Sequence, residues 1–120
     1  MAVAVLREMM AADRACLSPV VYQEILQGAN SPGHFERLRR YFSAEPMLVP
    51  KHPVRSHEAA ARLYAHCRWH GVTPRSRQGC CVAQTAIEHG VELLAYDRDF
   101  EAIASVEPRL RLYRHTEVRP

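Results

Sequence analysis

A chain of 120 residues, 48% apolar and 24% charged, has the composition of one soluble globular domain over residues 1–120. No window approaches the ~20 apolar residues that cross a bilayer, and the opening residues, with acidic Glu8 and no long apolar core, do not read as a secretory leader, so neither a membrane anchor nor export is expected and the setting is read as cytoplasmic. The net charge of +3 comes from fifteen arginines and one lysine, Lys51; the planar arginine fork suits phosphate, so the composition is compatible with a polyanionic substrate as well as with an arginine-favouring genome.

In chain order, Val5, Leu6, Met9 and Met10 fall at helical spacing and predict an amphipathic helix over residues 2–12. Residues 15–17 read as a short strand, after which Ser18 as cap and Pro19 at the first helical position start a helix that runs to about Gly28. Its core face carries Val21 and Ile25, with Glu24 as an acidic neighbour. Ser31 and Pro32 repeat the signal for a helix with Phe35, Leu38, Tyr41 and Phe42 on one side and Arg37, Arg39 and Arg40 on the other. Residues 46–49 read as an edge strand between prolines.

The longest helix is expected from Ser56 through His70, with Ala60, Leu63, Tyr64 and Cys67 as its buried stripe and Gly71 closing it. Residues 73–76 form a turn, residues 77–89 a helix capped by Ser76 and stopped by Gly90, and residues 91–95 a short buried strand. Asp97 and Asp99 fall just past that strand, where ligands gather in open parallel sheets, and carboxylates at such a place point to a metal. Taken by themselves, the same aspartates can simply cap the short helix containing Phe100 and Ile103. Residues 110–113 alternate as a final strand. Helices alternating with short apolar strands favour an α/β fold with parallel strands.

The cysteines, Cys16, Cys67, Cys80 and Cys81, lack the paired spacing of a zinc site and read as reduced, packed thiols. His66 and His70 are four apart on a helix and can in principle grip one metal, but neither a glutamate beside His66 nor a third ligand accompanies them in sequence, so a solvated helix face is the plainer reading.

Four stretches together carry a resemblance that covers nearly the whole chain: Leu17-Ser18-Pro19-Val20-Val21-Tyr22-Gln23-Glu24 with Leu26 and Gly28; Ala60-Ala61-Arg62-Leu63-Tyr64; Gly71-Val72-Thr73-Pro74-Arg75-Ser76; and Leu93-Leu94-Ala95-Tyr96-Asp97-Arg98-Asp99-Phe100. The sequence resembles the PIN-domain ribonucleases, and within them the VapC-type toxins of bacterial toxin–antitoxin pairs. The resemblance implies a three-layer α/β/α fold with a small parallel sheet. It implies an endoribonuclease that uses Mg²⁺ or Mn²⁺, a homodimer, and an antitoxin partner covering the site.

Of the family's four acidic positions, Glu24 matches the second and Asp97, with Asp99, the last. The family's first aspartate lies on an opening strand that would precede Ala2, so that first strand is expected to be missing. The third starts the helix after the Arg-Ser turn, where Gly79 stands here. Under this reading Glu24, Asp97 and Asp99 hold the metal or orient its water, and Arg75, Arg77 and Arg98 attract RNA. Magnesium demands a tight shell of oxygen ligands, and close carboxylates repel unless a cation lies between them, so a reduced acidic set predicts weakened metal binding. The alternative is a decayed PIN fold that binds an antitoxin or RNA without cutting.

Overall fold

In the computed structural model, residues 17–94 and 98–113 are described, apart from the side chain of Arg77. The expected helix over residues 2–12, the strand residues Ala15 and Cys16, and Ala95 and Asp97 lie outside the described residues.

Helix α1 (Pro19–Gln27) starts where expected, because the extended Ser18 lets its hydroxyl accept the Val21 N–H at 3.2 Å while Pro19 occupies the first turn without a donor to satisfy. Helix α2 (Pro32–Phe42) repeats the device, with the Ser31 hydroxyl accepting from the His34 N–H at 3.1 Å. Each such cap stabilises its helix by about 1 kcal/mol. Helices α3 (Pro53–Trp69) and α4 (Arg77–His89) follow, then β1 (Leu93–Leu94), α5 (Arg98–Val106) and β2 (Leu112–Tyr113). Among the described residues no helix is long and apolar enough to cross a membrane.

Helix α4 is the centre of the packing: α1, α3 and α5 all lie against it. Its middle is buried nearly all round, through Cys80, Val82, Ala83, Gln84, Thr85 and Ala86, as befits a core helix rather than a surface one. Around it close Leu17, Val21 and Ile25, then Leu38 and Phe42 from α2, Ala60, Leu63 and Cys67 from α3, and Phe100 and Ile103 from α5. Burying each large aliphatic or aromatic side chain contributes roughly 1.5–3 kcal/mol.

The α/β class is as expected. Strands β1 and β2 pair in parallel, Leu93 opposite Leu112 and Leu94 opposite Tyr113, with α5 forming the crossover between them. The other strand expectations shrink. Among the described residues, Leu17 and Met47 make an isolated parallel bridge, supported by Leu17 N–H to Pro46 O at 3.0 Å and Leu48 N–H to Leu17 O at 2.6 Å.

Two helix expectations are also corrected. Helix α3 begins at Pro53 rather than Ser56, because proline's fixed φ already suits a first turn. Ser56 then faces inward at 7% exposure. On α2, Leu38 and Phe42, four apart, face the core, whereas Phe35 and Tyr41 are 38% and 44% exposed.

Candidate active site

The amino-terminal ends of α4 and α5 meet at one corner of the molecule, and a single carboxylate joins them. Ser76 occupies the cap position of α4 in extended backbone, yet its hydroxyl makes no capping bond. Its backbone N–H instead donates to Asp99 Oδ2 at 2.9 Å. Asp99 lies in the first turn of α5 and is 7% exposed. A short-range cap is thus replaced by a long-range one that fixes the 73–76 turn against α5. The exposed side chains of Arg75 and Arg98 flank this contact in sequence, one on each side of the junction.

Gly79 lies inside the same corner. A Cβ built there would sit 3.9 Å from Phe100 Cε1 and 3.9 Å from Ser76 Cβ, ordinary contact distances. The position is therefore glycine without a steric need for glycine. In the first turn of α4 an acid would gain from the helix dipole, and α4 has none.

The structure brings Asp99 together with the turn bearing Arg75. Glu24 is half-buried on α1, which packs on α4. Asp97 lies outside the described residues, as does the side chain of Arg77. Among the described residues no three His, Cys, Asp or Glu side chains gather to hold a metal ion, and one Asp99 oxygen is already engaged by Ser76. A hard divalent cation needs about six oxygens in a tight shell, and Asp97, one of the expected donors, lies outside the described residues. Arg75 and Arg98 are both exposed, and helix amino termini and guanidinium groups are the kinds of group that suit a phosphate.

The buried thiols take no part in chemistry here. Burial, then the neighbouring Cys67, Cys81 and Asp99, pushes the Cys80 thiol up to about 12, and burial followed by Glu107 raises Cys67. Both therefore stay protonated and unreactive at neutral pH.

Sequence reasoning missed Glu88. Its carboxylate accepts from Lys51 N–H at 3.2 Å, Ser56 Oγ at 2.9 Å and Gln84 Nε2 at 3.3 Å, tying the far end of α4 to the start of α3. Burial raises its pKa, but the bonds from Ser56, Lys51 and Gln84 outweigh that and hold the carboxyl below its ordinary 4.5. Gln84 and Glu88 at helical spacing were a visible signal; Ser56 and Lys51, more than thirty residues away, were not. Glu88 is a clamp remote from the Asp99 corner.

Comparison with known proteins follows the same outline. Residues 2–106 match the PIN domain. The VapC ribonuclease Mb1587 of Mycobacterium bovis is 33% identical over 95 residues, covering 79% of this chain and 70% of the relative. Ribonuclease VapC11 of Mycobacterium tuberculosis gives the same identity and coverage in two strains.

Proposed function

The chain belongs to the PIN domain family, and from that premise we propose that it is a VapC-type endoribonuclease toxin acting on RNA phosphodiesters. The observation that carries this reading is the junction of the two helix amino termini through Asp99 and Ser76, with Arg75 and Arg98 beside it. Arg75 and Arg98 are exposed there, as is Glu101 in the first turn of α5. Arg75, Arg77 and Arg98 are the proposed contacts to the RNA backbone, and Asp99 holds in place the 73–76 turn, which bears Arg75 and leads into Arg77 at the start of α4.

Glu24, Asp97 and Asp99 are the carboxylates proposed to supply affinity for the divalent cation of the family's chemistry, Mg²⁺ or Mn²⁺ here. The proposal extends to a single domain acting in the cytoplasm as a homodimer, with an antitoxin as protein partner.

Gly79 supports a second reading, in which the fold binds an antitoxin or RNA but no longer cuts. A Cβ at that position would meet only ordinary contacts, and the first turn of α4 carries no acid. The two readings part in one assay: a mixed structured RNA incubated with the purified chain and Mn²⁺ or Mg²⁺, against chelator, beside Glu24→Gln and Gly79→Asp. The enzyme reading expects cutting that chelator and Glu24→Gln both abolish. No cutting by the folded chain, with RNA or antitoxin binding retained, favours the binding module. Cutting gained in Gly79→Asp would locate the loss at that position.

A further inference from the structure

At the end of the α3–α4 pair opposite the Glu88 clamp, the last turn of α3 and its closing residue carry two histidines that the proposed function does not use. The His66 and His70 rings lie with centroids 4.3 Å apart, tilted by 54°. His70 Nδ1 sits 2.8 Å from the His66 carbonyl oxygen. A carbonyl can only accept, so Nδ1 carries the hydrogen and the lone pair of the neutral ring is on Nε2. A ring pinned through one nitrogen to a backbone carbonyl, with the other nitrogen presenting its lone pair, is the arrangement found in metal-ligating histidines.

The surroundings favour a cation. His70 is the residue that closes α3, so both imidazoles lie at the end where the helix dipole is negative. The Glu107 carboxylate is within electrostatic reach of His66 and offsets Arg109, with which it pairs at 2.7 Å. Arg68 in the same turn opposes a cation but is exposed and screened by water. His66 is half-buried and His70 exposed, so solvent reaches the pair.

We propose that His66 and His70 form a two-imidazole clip for a late first-row divalent cation, Cu²⁺, Ni²⁺ or Zn²⁺, at the carboxyl end of α3. Imidazole suits these ions, whereas Mg²⁺ requires oxygen ligands, so the clip and the Asp99 corner select different metals. Two protein ligands leave the remaining coordination positions to water or an exchangeable partner.

The test uses a built-in reporter. Trp69 is the only tryptophan of the chain, is 70% exposed, and lies between the two histidines in sequence. Titrating the untagged chain with Cu²⁺ or Ni²⁺ should quench its fluorescence to saturation, Cu²⁺ at lower concentration than Ni²⁺, while Mg²⁺ leaves it unchanged. His66→Asn and His70→Asn should each weaken the saturable phase roughly tenfold or more, with His57→Asn matching the parent. Zn²⁺ should raise the melting temperature of the parent and of His57→Asn but not of the other two, which also confirms that the variants fold. Unsaturable quenching, or saturable quenching that survives both His66→Asn and His70→Asn, would overturn the clip. Neither result bears on RNA cleavage.

Discussion

The two ends of α4 are built in opposite ways. At its carboxyl end, Gly90 adopts φ 63° and closes the helix, Arg111 donates to the Gly90 carbonyl at 2.6 Å, and Glu88 gathers three donors from α4 and the start of α3. At its amino end the cap hydroxyl is unused, the first turn has no acid, and glycine stands at position 79 in ordinary helical backbone. The carboxyl end is finished by its own left-handed glycine and by hydrogen bonds, local from Gln84 and long-range from Lys51, Ser56 and Arg111. The amino end is held by Asp99 reaching across from α5, with the buried Phe100 next to it in sequence. Helix ends that leave their own caps unused are the ones available to a ligand, and the proposed site is at that end.

The largest effect is expected at Ile103, which is fully buried on α5, the helix that carries Asp99. Ile103→Ala should cost about 2–5 kcal/mol in urea unfolding, since it removes transfer energy and leaves a cavity. A loss below about 1 kcal/mol would mean that hydrogen bonds rather than packing hold α5.

The two glycines sharpen the comparison because the same substitution should act with opposite sign. Gly90→Ala forces a side chain into the left-handed region and should destabilise by about 1–2 kcal/mol. Gly79→Ala should stabilise by about 0.5–1 kcal/mol, since the added Cβ meets nothing nearer than 3.9 Å and alanine favours the helix. Thermal melts of the pair check both; equal signs would refute the asymmetry.

The smallest effect is expected at Glu88. Its carboxyl is held below 4.5 in the folded chain, so it contributes stability above the unfolded value that is lost as pH falls through the lower folded one. Glu88→Gln should therefore cost roughly 0.5–1 kcal/mol at pH 7, reduced by partial exposure, and progressively less below about pH 4.5. Unfolding curves across that range give the comparison, and a difference that grows toward acid would contradict the assigned cause.

Much of the fold was legible because its signals are local. Ser18-Pro19, Ser31-Pro32 and Gly90 act within one helical turn of themselves, and each begins or ends a helix where expected. Ser76 does cap the helix over residues 77–89 as expected, but with its hydroxyl unused, and Ser56 lies inside a helix that Pro53 already starts. Ser56 turns inward to Glu88 and Ser76 gives its N–H to Asp99, 23 residues on. The strand expectations were too long for a related reason. Alternation marks which residues can pair, while the length of a ladder depends on which neighbour arrives, and here two residues of β1 meet two of β2.

The sequence by itself determined the helical punctuation, the apolar stripes, the place of Glu24, Asp97 and Asp99 in an acidic pattern, and the departure at Gly79. The punctuation and the stripes follow from covalent geometry and spacing along the chain, whereas the acidic pattern and the departure at Gly79 are what the resemblance to the PIN-domain ribonucleases implies. The tertiary structure decided that Asp99 is buried and fastened to the turn before α4, that Glu88 clamps the opposite end, and that α4 is the helix on which the others pack. Each of these is a contact between residues far apart in sequence, formed because burying a carboxylate or a helix end requires a hydrogen-bonding partner and the packed helices bring one within reach.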